Sequence, residues 1–156
     1  MRLWRICRRE HRALDGEGAR LWGGRWTPPG HPVIYTAMSP SLATVERLVH
    51  TLPGYPGVDL VLVEIAAPDD LARTEVLAET LPDRWRESPA PEALQPIGMA
   101  WLIGGETALL SVPSAVVPLE RNIVINPAHR DAGRLEIAST EPFTFDARLV
   151  RSVRRE

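Results

Sequence analysis

Fifteen prolines are spread from Pro28 to Pro142 along a chain of 156 residues, and they limit the length of every regular element. A proline inside a helix removes a hydrogen bond and collides with the preceding turn, and a central strand rejects it because it has no N–H to donate. A bundle of long helices is excluded, which leaves short strands and short helices. With 44% hydrophobic and 24% charged residues, the chain has the balance of one that buries a core rather than of a disordered one. Its length favours a single domain over residues 1–156.

Runs rich in β-branched and aliphatic residues predict strands at Leu3–Ile6, Val33–Thr36, Asp59–Ile65, Ala108–Val112, Ala115–Val117, Asn122–Ile125, Arg134–Ala138 and Phe143–Phe145. A helix is expected after Ser39, a good N-cap, with Pro40 at the first helical position and Pro53 as its stop. Leu42, Val45, Leu48, Val49 and Leu52 recur at helical spacing and give it one apolar stripe. A second helix is expected from Gln95 to Ile103, apolar on nearly every side and ended by Gly104-Gly105. Asp69–Thr80 carries a weaker helical pattern. Strands towards both ends with helices between them predict an α+β domain. The last residues, Ala147–Glu156, contain four arginines and no pattern that assigns them.

Two uncharged stretches, Ala93–Gly105 and Thr107–Leu119, are broken by proline and glycine and separated by Glu106, so neither reaches the ~20 apolar residues of a membrane span. The N-terminal residues MRLWRICRRE are charged from the second position and contain no apolar signal core. Cys7 is the sole cysteine and has no disulfide partner within the chain, and no Cys/His cluster has metal-ligand spacing. The expectation is a cytoplasmic, metal-free protein that does not enter a membrane. All 18 basic residues are arginine; residues 1–25 carry a net +4, while the net charge of the whole chain is −2. The N-terminal excess is either a patch for an anionic ligand or a solvated surface, and a nucleic-acid binder would be more basic overall.

The least ordinary segment is Gly16–Trp26, with four glycines in nine residues. Such spacing lets a backbone turn sharply or approach a ligand closely. Arg25, between Gly23-Gly24 and Trp26, is suited to hold a phosphate or carboxylate beside an aromatic wall; the plainer reading is a loop with a surface arginine. Glu46 falls at the edge of the apolar stripe, which puts its carboxylate half inside the protein, and His50 lies one turn later on the same side. Tyr35 ends the strand before that helix and either faces the same cleft or fills core. Ser114 stands at a kink set by Pro113, as a turn residue or a site residue. Asn122 and Asn126 flank a short apolar run, where their side chains can hold loop backbone. Neither a G-x-G-x-x-G nor a G-x-S-x-G pattern is present.

Taken in order, GEGA, GGRW, VIYT, LATVE, LQPIGMAWL, VPSAVVPLERN and INPAH resemble the RES domain family from about Leu3 to Phe145. The resemblance places the family's namesake arginine, glutamate and serine on Arg25, Glu46 and Ser114, and its active-site tyrosine on Tyr35. It implies an ADP-ribosyltransferase-like fold with a central antiparallel β core and flanking short helices. It also implies the toxin of a toxin-antitoxin pair, with NAD as substrate rather than cofactor and an Xre-like helix-turn-helix antitoxin as partner. Pairing of two toxin copies within that complex belongs to the same expectation. Gly24, Trp26, Arg5 and Asn126 are further candidates for substrate contact.

Cleaving the bond between nicotinamide and ribose expels a group that already carries positive charge, so no general acid is needed and one carboxylate suffices. Under this expectation Glu46 stabilises the developing ribosyl cation and Arg25 binds the diphosphate or ribose region. Tyr35 positions the nicotinamide ribose, and Ser114 orients substrate by a hydrogen bond. The acceptor of the ribosyl group stays open among water, phosphate and a protein. An ADP-ribosyltransferase is therefore the second reading. A noncatalytic module that binds antitoxin or nucleic acid is the third, recognisable by salt-sensitive DNA binding without NAD.

Overall fold

The structure is a computed structural model that describes residues 1–51 and 57–150. Seven strands form one sheet: β1 (Arg2–Arg8), β2 (Ile34–Ala37), β3 (Leu60–Ala66), β4 (Arg73–Glu75), β5 (Leu109–Pro113), β6 (Arg121–Ile125) and β7 (Glu136–Pro142). Their order is β4-β5-β6-β2-β1-β3-β7, and every pairing is antiparallel except β4 with β5. Parallel neighbours need a crossover. Here it contains the helix α3 (Gln95–Gly104). Two other helices, α1 (Glu17–Trp22) and α2 (Pro40–Val49), flank the sheet. The mixed α+β class expected from the sequence is what the chain adopts.

The middle of the sheet is its thinnest join. β1 pairs with β3 from Arg2 to Arg8, whereas it meets β2 through one pair, Trp4 with Ala37. Two wings result, β4-β5-β6-β2 and β1-β3-β7. Side chains alternate across the sheet, so Tyr35 and Ala37 point to one face and Ile34 and Thr36 to the other. On the first face α2 buries Leu42 and Ala43 with Ile6, Ala37 and Leu60. On the second, Leu3, Ile34, Val61, Val63, Ile65, Ile123 and Ile125 form the largest apolar cluster and join the wings.

The expected start of α2 is observed. Ser39 Oγ accepts from the Leu42 N–H at 3.0 Å, and Pro40 follows at the first turn. The same hydroxyl donates to Glu120 at 3.2 Å, tying the helix to the turn after β5. Ser39→Ala should therefore lower the stability of the purified protein by about 1 kcal/mol, read as a drop in thermal midpoint. Of the expected stripe, Val49 is exposed, and Leu52 and Pro53 lie outside the described residues, as does 151–156. α3 ends as expected, with Gly105 in the left-handed region at φ 61°. Among the described residues no helix is long and apolar enough to cross a membrane.

Four expectations change. Asp69–Thr80 is not a helix: Arg73–Glu75 pairs with Leu109–Ser111, and Thr74 bonds Thr107 at 2.8 Å, so strand pairing overrides a weak helical pattern. Ala115–Val117 is not a strand, because Ser114 Oγ takes the N–H groups of Val116 and Val117, leaving these two amides bonded locally. Phe143–Phe145 leaves the sheet after one bond from the Phe143 N–H to the Leu60 carbonyl, and the two rings stack edge to face. The strand expected at Arg134–Ala138 begins only at Glu136, after a short turn over Ala132–Arg134.

Candidate functional site

Within Gly16–Trp26, the sequence reading missed α1. Gly16 enters it at φ 73° and Gly23 leaves it at φ 68°, backbone conformations that a side chain would strain. After Gly23 the chain runs under Tyr35. A Cβ on Gly24 would lie 2.5 Å from the Tyr35 hydroxyl, so only glycine lets this backbone pass so close to the ring. The Trp26 N–H donates to that hydroxyl at 3.2 Å, and Thr27 Oγ1 lies 3.1 Å from it. Burial pushes the Tyr35 phenol above its ordinary pKa against these hydrogen bonds and the charge of Arg25, so it stays protonated at neutral pH.

Arg25 is half-buried, and its guanidinium is pinned rather than free. Nη1 donates to the Trp85 carbonyl at 2.6 Å and Nη2 to the Glu87 carbonyl at 3.1 Å. Desolvation lowers its pKa, while the charge of Glu46 and then Tyr35 oppose that drop. A guanidinium remains protonated throughout the accessible range, so the site holds a fixed positive charge. The loop supplying the two carbonyls is itself tied down, since Arg86 Nε donates to the Ala115 carbonyl at 3.1 Å.

Glu46 projects from α2 towards the turn after β5. Its Oε1 accepts from Ser114 Oγ at 2.7 Å and from Asn122 Nδ2 at 2.5 Å. Ser114 is completely buried, and its oxygen already accepts two backbone N–H groups, so its one proton is committed to the carboxylate. The Ser114 N–H donates to the Glu120 carbonyl, and Glu120 holds the N-cap of α2. Helix and turn are thus joined at both the start of α2 and the end of its second turn. Glu46 Oε2 makes no hydrogen bond among the described residues, and Arg25 exerts its charge on the carboxylate without an ion pair closer than 4 Å.

Arg25, Tyr35, Glu46, Ser114 and Gly24 are therefore drawn to one place from four separate segments. The other candidates are placed elsewhere. Trp26 is 2% exposed and packs with Ala19, Val33, Leu94 and Trp101, so it is core rather than a ligand wall. Arg5 alternates away from Trp4 and Ile6, the residues of β1 under α2, and its guanidinium lies 3.5 Å from the Ala13 carbonyl. Asn126 follows the end of β6 opposite to Asn122 and holds a turn by accepting from the Ala128 N–H. The Glu46–His50 pair does not form: His50 is an exposed residue just past α2, and Glu46 turns to Ser114 and Asn122. Asn122, expected only to hold loop backbone, instead donates to the Glu46 carboxylate and so joins the site. A lone polar residue on the inward face of the apolar run Ile123–Ile125 was the available signal.

The arrangement is a single carboxylate with one free oxygen, a desolvated cation and a neutral phenol. Such a set stabilises a cationic sugar while it grips an anion. The model of the RES domain matches residues 2–146. The "Prs ADP-ribosylating toxin" of Sphingobium sp. (strain YBL2) is 40% identical over 154 residues, covering 95% of this chain and 96% of that protein. A "Toxin Res" of Yersinia enterocolitica is 37% identical over 153 residues, covering 96% and 99%. Among solved structures, a chain of the M. tuberculosis MbcT-MbcA toxin-antitoxin complex superposes with a TM-score of 0.77 at 23% identity, covering 92% of this chain and 84% of that one, which is a likeness of fold.

Proposed function

The chain belongs to the RES domain family, and we propose that it is the toxin of a toxin-antitoxin pair that cleaves the nicotinamide–ribose bond of NAD. The observation that carries this reading is the Glu46 carboxylate, fixed through Oε1 by Ser114 and Asn122 with Oε2 free, in the field of a pinned Arg25. In the reaction the C1′–N bond breaks and its electron pair leaves with neutral nicotinamide, so positive charge passes to the ribose ring. Glu46 Oε2 faces that charge or a ribose hydroxyl. The remaining N–H groups of Arg25 take the diphosphate, and Tyr35, protonated and braced by Thr27 and the Trp26 amide, positions the nicotinamide ribose. Ser114 acts by holding the carboxylate rather than the substrate. With water as acceptor the products are ADP-ribose, nicotinamide and a proton.

The test is direct: purified protein, free of antitoxin, should consume NAD and release nicotinamide in equal amounts. No nicotinamide release would refute the reading. Arg25→Ala should raise the Kd for NAD about 30-fold, corresponding to the loss of ~2 kcal/mol from charge-assisted hydrogen bonds. Titration calorimetry checks it, and unchanged affinity removes the phosphate-binding role.

The 40% identical relative is named an ADP-ribosylating toxin, which favours a protein side chain as the second possible acceptor. Labelled ADP-ribose recovered on protein rather than in solution decides for that reading. The partner under this proposal is an Xre-like helix-turn-helix antitoxin in the cytoplasm, with two toxin copies in the complex. Support for an antitoxin comes from the toxin-antitoxin assembly that shares the fold.

A further inference from the structure

Asn122 is placed with unusual firmness. On β6 it pairs with Ala37 of β2 on one side and Val112 of β5 on the other, so its backbone cannot drift. Its amide nitrogen donates to Glu46 Oε1, and its carbonyl oxygen is buried with no hydrogen-bond partner among the described residues. A buried acceptor left unpaired costs stability, and an aliphatic residue at this position would avoid that cost. The three residues that follow it along the strand, Ile123, Val124 and Ile125, are all aliphatic and buried. Nothing but the carboxylate sets the direction of this amide, since the flipped form would press two oxygens together.

We propose that Asn122 is a positioning residue of the cleavage reaction: with Ser114 it saturates Glu46 Oε1, so that Oε2 is the oxygen presented to the ribose. The proposal rests on the NAD-cleaving reading and assigns different work to the two carboxylate oxygens. Asn122 acts through Glu46 and not on the substrate, because its nitrogen is committed and its oxygen is enclosed by protein. Two donors from different elements, a strand and a turn, converge on one oxygen. Either alone would leave the carboxylate free to rotate about its last bond.

The experiment compares purified wild type, Asn122→Ala and Asn122→Asp, each at matched folded fraction. Asn122→Ala should lower kcat about 100-fold, the scale of a small misplacement of a catalytic group, with KM for NAD within about threefold of wild type. Its thermal midpoint should stay within a few degrees of wild type, since removal of the unpaired oxygen offsets the lost hydrogen bond to Glu46. Asn122→Asp keeps the shape, removes the donor and adds a charge against Oε1, so it should be slower than the alanine variant. An unchanged kcat in Asn122→Ala, a loss confined to KM, or an aspartate variant as fast as wild type would overturn the proposal. A second arm needs no turnover. The side-chain amide protons of Asn122 should resonate downfield in NMR spectra of the wild type and move upfield in Glu46→Ala. No movement refutes the contact whether or not NAD is cleaved, while the absence of nicotinamide release from wild type refutes the underlying reading separately.

Discussion

Glu46→Gln should reduce nicotinamide release by a factor on the order of 1,000 while the protein stays folded. Glutamine has the shape of glutamate and keeps a carbonyl oxygen to accept from Ser114 Oγ and Asn122 Nδ2, so the contacts that join α2 to the turn and to β6 survive. What it loses is the negative charge, at the oxygen that has no other partner among the described residues. In the proposed reaction that charge would face a ribosyl cation in the transition state, in a partly desolvated site where screening by water is weak. A thousandfold loss corresponds to about 4 kcal/mol of transition-state stabilisation, more than any binding contact here supplies. The measurement pairs a chromatographic assay of nicotinamide with a thermal melt. A rate within about tenfold of wild type, at an unchanged midpoint, means that the carboxylate is not the group that stabilises the cation. Ser114→Ala is the complementary case: Glu46 keeps its charge but loses a donor, and the buried N–H groups of Val116 and Val117 lose their acceptor, so rate and stability should both fall.

The parts of the fold that were legible in the sequence are those where local chemistry decides. Ser39 and Pro40 announced α2, and Gly105 the end of α3, because caps act within a few residues. The β-branched runs announced five strands for the same reason. Asp69–Thr80 was misread because its strand exists only through pairing with β5, about 35 residues away in the chain. Trp26 was misread because its surroundings, Leu94 and Trp101, come from a distant segment. The candidate site divides in the same way. Arg25, Tyr35, Glu46 and Ser114 stand in recognisable motifs, and the structure adds the geometry that draws them together. Asn122 was read only as a holder of loop backbone, because its polarity on an apolar strand marks a buried partner without saying that the partner is the Glu46 carboxylate, 76 residues away in the chain.

Gly98→Ala should be strongly destabilising, since among the described glycines it is the one whose added Cβ comes nearest to another atom, and it should disturb the site from a distance. Gly98 lies in the middle of α3, where alanine would normally help by ~1 kcal/mol. Here a Cβ would lie 2.0 Å from the Trp26 carbonyl oxygen and 2.8 Å from its carbonyl carbon. These are backbone atoms, so no rotamer change relieves the clash; either α3 or the segment Gly24–Thr27 must move. Overpacking of this kind costs about 3 kcal/mol, which outweighs the gain in helix propensity and lowers the midpoint by roughly 10 °C. The same helix provides its control. A Cβ on Gly104 meets nothing within 4 Å, so Gly104→Ala should be neutral or raise stability by about 0.5 kcal/mol. The displaced segment carries Arg25 and the Trp26 N–H that braces the Tyr35 hydroxyl. Gly98→Ala should therefore also bind NAD more weakly at temperatures where it is fully folded, although the substituted residue is buried behind Trp26 and touches no site side chain. If the variant melted at or above the wild-type midpoint, the close approach of α3 to the Trp26 backbone would be wrong. If it melted low but bound NAD with wild-type affinity, the strain would be absorbed by α3 alone, and the position of Arg25 would depend on the carbonyls of Trp85 and Glu87 rather than on the helix behind it.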